Sequence, residues 1–402
     1  MSELDVAKLI SVEQACALID AAPASPRVAR VPLADAAGRV LAEDVLCDRD
    51  YPPFDKSLMD GYAVRSADVR AGVVLRIAGE IAAGQRPTRR LQAGQAIAIM
   101  TGAPLPPNAD AVVPVELAQR NGTSITVRDA VTTGQYVMRR GGDRAAGTRV
   151  LSRGTVIGAT QLAVLATVGV CRPPVFARPT VKLLATGDEI VSVRSRPGPY
   201  KIRNANSVML AGLLRSLGCD LIGEVVVPDD RKRLRSALSR AAVADLVVVT
   251  GGMSMGQYDF VPGLLVELGF DLKITKLRIK PGKPFVFGLR TDGKVAIGLP
   301  GNPVSAYVCA LRLAGRLIRR MQGLPPEPTW ITAPLAEPLP ANGPREFYQP
   351  AVWDGTSVRP LKWKGSADVF TLSVADALIV RPENDAPRDK GAAVQLLEIP
   401  PC

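Results

Sequence analysis

Apolar and polar positions alternate in two different ways along this chain. Residues 11–21 carry apolar side chains at helical spacing behind Ser11, with Gln14 three residues on. That pattern predicts a short amphipathic helix opened by a capping box. Residues 27–50 read as two strands around a turn at Gly38. From 51 to about 140 the apolar runs are short. Turn signals break them at 84–87 (G-Q-R-P), 104–108 (P-L-P-P-N) and 121–122 (N-G), which predicts a small, mostly β domain. An apolar helix over 159–168 and the C-R-P-P run at 171–174 close this part of the chain.

Beyond residue 179 the period changes. Thr180–Ala185, Leu221–Val227, Leu246–Thr250 and Val295–Leu299 are apolar runs of strand length. Helical patterns separate them: Asn206–Leu217 with Gly218 as C-cap, Asp229–Ala242, Asp259–Leu268, and a helix opened by P-G-N-P that runs to about 321. Lys273–Ile279 and Pro284–Leu289 read as strands, the second leading into a hairpin at Asp292-Gly293. Strands alternating with helices predict a doubly wound, parallel sheet covered on both faces. G-L-P-P-E-P at 323–328 reads as a linker, and short strands follow to 402. The expected architecture is multidomain α/β plus β. Residues 1–50 with 141–178 form an N-terminal connecting region, 51–140 a β-rich domain, 179–322 the central doubly wound domain and 323–402 a small C-terminal β domain.

Composition narrows the chemistry. With 47% hydrophobic and 22% charged residues, the 402-residue chain is globular rather than disordered. It contains no histidine, which excludes Ser-His-Asp and Cys-His catalysis and any imidazole metal site. The cysteines at 16, 47, 171, 219, 309 and 402 form no C-x-x-C pair, so the expectation is reduced thiols in a cytoplasmic protein. The N-terminus does not read as a secretion signal, and no apolar run is long enough to span a membrane. A net charge of +12 suits a polyanionic ligand. Aromatics at 4% argue against a stacking platform for nucleic acid.

Ligands of open α/β sheets bind beyond the carboxyl ends of the strands, and three strands here end in unusual loops. These are T-G-D-E (Thr186–Glu189), G-G-M-S-M-G-Q-Y-D (Gly251–Asp259) and L-P-G-N-P-V-S (Leu299–Ser305). Glycines such as Gly251 and Gly252 let backbone N–H groups approach a ligand. In the third loop Asn302 is placed to cap a helix with Pro303 at its first position, leaving N–H groups for an anion. Each loop alone reads as a tight βα turn; three at one sheet edge point to a site. Two lysines, Lys280 and Lys283, stand on the proline-stiffened turn I-K-P-G-K-P-F. As compact point charges they suit oxyanions, although a solvated turn would look the same. Glu189 and Asp259 beside such a site suggest a shared Mg²⁺, with helix capping as the competing role for Asp259. G-L-R-T-D-G-K at 288–294 has P-loop spacing, but Val295 follows where Ser or Thr is needed, and it lies in a hairpin. P-P-F-D-K-S-L-M-D-G-Y-A-V (52–64) and I-M-T-G-A-P-L-P (99–106) are polar loops of the β-rich part.

Those two loops, A-T-G-D-E, the N-x-N at 204–206, G-G-x-S-x-G-x-x-D, K-P-G-K-P and L-P-G-N-P-V-S occur here in a fixed order. Together the motifs resemble the molybdopterin molybdenumtransferase family, which includes the E domain of gephyrin. The resemblance implies a homodimer of four-part chains. Its activity would be insertion of molybdate into adenylylated molybdopterin with release of AMP and with Mg²⁺. It further implies that Lys280, Lys283, Ser254 and Ser305 hold molybdate or nearby phosphate, with Pro300 and Pro303 shaping the third loop. Glu189 and Asp259 would serve Mg²⁺ and the adenylate phosphate. Asp60 and Thr101 would complete the other subunit's site, and Arg345 and Ser366 would face molybdate from the C-terminal domain. Molybdopterin adenylyltransferase and molybdoenzymes would be partners. The chain departs from the family pattern at Ala98, at Gly142, and at Pro344 and Gln349, where arginines are usual. Two alternatives remain: a molybdopterin adenylyltransferase, for which a lone α/β domain would suffice, and a non-catalytic scaffold or chaperone that carries molybdopterin.

Overall fold

The structure is a computed structural model that describes residues 9–24, 26–253 and 260–400. Helix α1 (Val12–Ala21) begins at Ser11, whose hydroxyl accepts from the Gln14 N–H while Gln14 returns its side chain to the Ser11 N–H. The capping box expected from the sequence is therefore formed. Chain contacts gather into two compact units. One comprises Val31–Ala37 with Glu43–Pro173; the other comprises Met1–Arg30, Gly38–Ala42 and Pro174–Cys402.

The first unit is built on a six-stranded sheet. Its strands are β1 (Gly61–Val64), β2 (Val74–Ile81), β3 (Gln95–Ile99), β4 (Ala111–Pro114), β5 (Ala118–Asn121) and β6 (Ser124–Val127), in the order β4-β1-β3-β2-β6-β5. Both faces are covered: Val64, Ala96 and Ile125 belong to one buried cluster, Ala63, Ile97 and Ile99 to another. Period-2 alternation along β3 divides its side chains between these clusters. Gly61 has no room for a Cβ, which would lie 2.1 Å from the Val113 carbonyl oxygen. Helix α2 (Ala159–Thr167) falls where the sequence placed one.

The second unit holds the α/β sheet. Strands β7 (Thr180–Thr186), β8 (Asp220–Val227) and β9 (Leu246–Thr250) alternate with α3 (Ala205–Ser216), α4 (Arg231–Ala241) and α5 (Val261–Glu267). Strand β10 (Asp271–Lys276) and the two-residue β11 (Ile279–Lys280) precede β12 (Pro284–Leu289) and β13 (Val295–Leu299). The sheet order is β8-β7-β9-β13-β12-β10. The first four strands are parallel; β12 alone runs against them and pairs antiparallel with both β13 and β10, because the hairpin at Gly293 and the loop around 281–283 return the chain directly. The parallel sheet expected from sequence is thus a mixed one. Every side chain of β9 and β13 is buried, as continuous apolar runs in a sheet covered on both faces require.

The helix after β13 contains α6 (Pro303–Cys309), a π turn (Ala310–Ala314) and α7 (Gly315–Met321). Buried arginines tie it to its neighbours. Arg316 pairs with Asp20 of α1 and with Glu327. Arg312 donates to the Tyr348 hydroxyl at 3.1 Å. The C-terminal strands are β14 (Trp330–Pro334), β15 (Glu346–Trp353), β16 (Val358–Pro360), β17 (Ala377–Arg381) and β18 (Ala393–Glu398). They form a sheet in the order β11-β15-β17-β18-β14, with β16 on β15. Strand β11 is the exception to sequence order. The single strand expected over 273–279 breaks, and residues 279–280 pair in parallel with 346–347 of the C-terminal sheet. One buried cluster runs continuously from α1 through the α/β sheet to Tyr348 and Leu378.

Candidate active site

A cavity of about 870 Å³ opens at the carboxyl ends of the four parallel strands. Each strand end contributes: Thr186, Gly187 and Glu189 after β7, Asp229 after β8, Gly251 and Gly252 after β9, and Pro300 to Pro303 after β13. The loops lie close together because no side chain intervenes at the contacts. A Cβ on Gly251, whose φ is +90°, would lie 2.3 Å from the Thr186 carbonyl oxygen. A Cβ on Gly187 would meet the Glu189 carboxylate at 2.6 Å, so that carboxylate folds back over the loop.

Side chains beneath the loops hold them in register. The amide of Asn206 donates to the Gly301 carbonyl at 2.7 Å and to the Thr250 hydroxyl at 3.1 Å. The buried Thr250 hydroxyl in turn donates to the Pro300 carbonyl at 3.0 Å. On the other side the Thr186 hydroxyl donates to Asp229, and the Asp229 N–H donates to Asp188. Asn204 caps α3 by accepting from the Ser207 N–H at 3.0 Å, which sets where Asn206 begins.

Most of the residues singled out in the sequence meet here. Glu189, Gly251, Gly252, Lys280, Lys283, Pro300, Pro303, Ser305, Arg345 and Ser366 all line the cavity. Lys280 arrives on β11 and Arg345 just before β15, so the edge pairing of β11 is what brings them together. Ser254 and Asp259 lie outside the described residues. Asp60 and Thr101 belong to the β-rich unit and bind one another. The Thr101 N–H and hydroxyl donate to one Asp60 carboxylate oxygen at 2.6 and 2.8 Å. Donation from the Thr101 backbone, then from its hydroxyl, holds the Asp60 carboxyl below its ordinary range.

One expectation changes. Asn302 occupies the N-cap of α6 without capping it through its side chain. Its amide donates to the Ser366 hydroxyl at 2.9 Å, and the Val304 N–H donates to the Ser366 carbonyl at 3.0 Å. A loop of the C-terminal domain therefore supplies the acceptor, and fewer N–H groups are left for a ligand than the sequence suggested.

Sequence reasoning also missed residues. Asp229 lines the cavity at the one strand end without glycines, where the only signal was its position after an apolar strand. Asn206 ends the N-x-N motif, which by itself gives it no role. Arg203 and Trp363 line the cavity as well. The wall carries four cations (Arg203, Lys280, Lys283 and Arg345) against the carboxylates of Glu189 and Asp229. No ion pair joins any of these four to a carboxylate among the described residues. Uncompensated cations, backbone N–H groups and two carboxylates make a site for a multiply charged anion with room for a shared divalent cation.

Known proteins match most of the chain. The model of the MoeA N-terminal region (domain I and II) matches residues 10–169, that of a probable molybdopterin binding domain residues 182–320, and that of the MoeA C-terminal region (domain IV) residues 332–399. A molybdopterin molybdenumtransferase of Nostoc sp. is 32% identical over 381 residues, covering 90% of this chain and 87% of that protein. Molybdopterin molybdenumtransferase 2 of Mycobacterium tuberculosis is 33% identical over 387 residues, covering 92% and 94%. The crystal structure of the molybdopterin biosynthesis MoeA protein from Pyrococcus horikoshii superposes with a TM-score of 0.85 at 28% identity, covering 98% of this chain and all of that one.

Proposed function

The chain belongs to the molybdopterin molybdenumtransferase family, whose enzymes insert molybdenum into molybdopterin to make the molybdenum cofactor, and from that premise we propose the finer steps of the reaction and the residues that carry them. The substrate is adenylylated molybdopterin, molybdate is the metal donor, and AMP is released. The observation that supports this reading is the gathering of Lys280, Lys283, Ser305, Arg345 and Ser366 around one cavity with the glycine loops. Molybdate is a tetrahedral dianion, and the adenylylated pterin carries a pyrophosphate link. Both need cations whose charge is not already taken by a carboxylate. Lys280 and Lys283 hold molybdate, and the hydroxyls of Ser305 and Ser366 orient it. Gly251 and Gly252 give the phosphates close backbone approach, and Pro300 and Pro303 keep the third loop in shape. With no histidine in the chain, the protein contributes mainly orientation and electrostatic stabilisation.

The donor set suits Mg²⁺. No group of three or more acidic or cysteine ligands stands ready among the described residues. Mg²⁺ however usually takes one or two carboxylates together with substrate phosphates and water, and Glu189 and Asp229 both line the cavity. Glu189, Asp229 and Asp259 would hold it. Bound there, the ion would supply positive charge to offset that of the phosphates. Asp60 and Thr101 complete the site of a second copy in a homodimer. Their support is the preformed Asp60–Thr101 pair, together with the exposed apolar residues Met59 and Met100 beside it. A cytoplasmic setting is part of this proposal, supported by the dispersed cysteines, which form no C-x-x-C pair. No helix among the described residues is long and apolar enough to cross a membrane.

The test is AMP release from adenylylated molybdopterin as molybdate and Mg²⁺ are varied. Losing one charge-assisted contact costs about 1.5–3 kcal/mol, or roughly ten- to a hundredfold. Lys280→Met and Lys283→Met should each raise the molybdate half-saturation by that factor. Wild-type half-saturation in both variants would refute the assignment. Mixing Asp60→Ala with Lys283→Ala protein should restore part of the activity through mixed dimers, and none would return if each chain's site were self-contained.

A further inference from the structure

Lys280 has an unusual neighbour. Its ammonium sits over the Phe347 ring, 4.4 Å from the centroid. Phe347 in turn stacks on Trp363, with centroids 5.9 Å apart and planes at 26°. Both Lys280 and Trp363 line the cavity, and Phe347 is the residue paired with Lys280 in the β11–β15 ladder. Among the described residues, Trp363 is the one aromatic side chain in the cavity wall.

We infer that Phe347 and Trp363 form an aromatic shelf that positions Lys280 for the oxyanion; this rests on the reading of Lys280 as a molybdate ligand. A lysine carries four flexible bonds, and freezing them on ligand binding weakens the contact. A carboxylate partner would hold the ammonium but cancel its charge. An aromatic face holds it through the ring quadrupole and leaves the unit charge free for the ligand. Backbone pairing sets the Lys280 and Phe347 Cα positions opposite one another, and the Trp363 stack fixes the plane of the ring. Phe347 is a positioning residue in this scheme, because it acts only through Lys280.

The experiment is a mutant cycle on the full chain with adenylylated molybdopterin and Mg²⁺, reading the molybdate dependence of AMP release. Phe347→Leu should raise the molybdate half-saturation about three- to tenfold, the range of a partly desolvated cation–π contact. The increase should exceed any fall in kcat. Phe347→Tyr keeps the ring face and should stay within about twofold of the wild type. In a Lys280→Met background, Phe347→Leu should add nothing. An equal shift in both backgrounds would show a merely structural role and overturn the inference. If Lys280→Met shifts half-saturation and Phe347→Leu does not, the shelf is wrong while the lysine assignment stands. If Lys280→Met itself has no effect, the lysine assignment fails and the shelf with it. Should Phe347→Leu not fold, Trp363→Leu in the same two backgrounds decides: a shift that requires Lys280 supports the shelf, and any other result overturns it.

Discussion

Gly282 lies between the two cavity lysines and allows a quantitative test of how the loop is held. Its φ is +124°, a region that side chains avoid. A Cβ there would lie 2.4 Å from the Cys309 sulfur and 3.3 Å from Ile279 Cγ2. Cys309 is fully buried on α6, and its thiol is directed at the Gly282 carbonyl at 3.5 Å. Gly282→Ala must therefore open the sulfur contact by about 1 Å to reach ordinary van der Waals separation. Overpacking of this kind costs about 1–3 kcal/mol and the backbone strain about 1–3 kcal/mol more. The sum, about 2–6 kcal/mol, is a large share of a typical stability of about 5–15 kcal/mol. If the loop lifts off α6 instead, the stability loss shrinks but the lysines move. All three tryptophans lie in the unit that contains this loop, so tryptophan fluorescence in a denaturant titration reports that unit alone. The expected result is a clearly lower midpoint, or a higher molybdate half-saturation, or both. Cys309→Ala should relieve the steric part and return about 1–3 kcal/mol in the double variant, leaving the φ strain. Wild-type midpoint and half-saturation in Gly282→Ala, or no coupling to Cys309→Ala, would refute the packing argument.

Two further outcomes follow from the same geometry. Asn206→Asp keeps the shape but replaces both donated hydrogen bonds with a carboxylate facing the Gly301 carbonyl; it should cost about 1–3 kcal/mol in the fluorescence titration and weaken molybdate use, since it loosens two loops at once. Asp385 is 7% exposed and accepts from Arg388 and from Arg381, which is 3% exposed. The Arg388 hydrogen bond, opposed by burial and aided by Arg381, holds its carboxyl below the ordinary range. Because the folded pKa lies below the unfolded one, the pair stabilises the fold above the unfolded value of about 3.9 and is lost as pH falls through the folded one. Thermal unfolding should show the wild type losing its advantage over Asp385→Asn as pH drops from about 5 toward 3, and a pH-independent gap would contradict this.

The residues by themselves determined a great deal about this protein. Apolar runs at strand length, the capping box at Ser11 and the hairpin at Gly293 are local events, governed by burial, hydrogen bonding and backbone sterics within a few residues. They were legible for that reason, as were the glycine loops, whose chemistry needs no partner to be recognised. What the tertiary structure decided concerns partners distant in sequence. The hairpin at Gly293 already turned β12 against β13, but the antiparallel pairing of β10 with β12 depends on a short return connection rather than on hydrophobic period, so the period alone suggested a parallel sheet. Residues 279–280 look like the end of a strand, yet they leave it to pair with 346–347, since the C-terminal sheet offers an open edge where they pass. Asn302 reads as a helix cap, but the cap is supplied by Ser366, 64 residues further on. Asp229 and Asn206 gained their places from sheet order, which sets strand ends side by side that are far apart along the chain. Local physics selects the elements and the reactive loops; only the packing of the sheet decides which loops face one cavity.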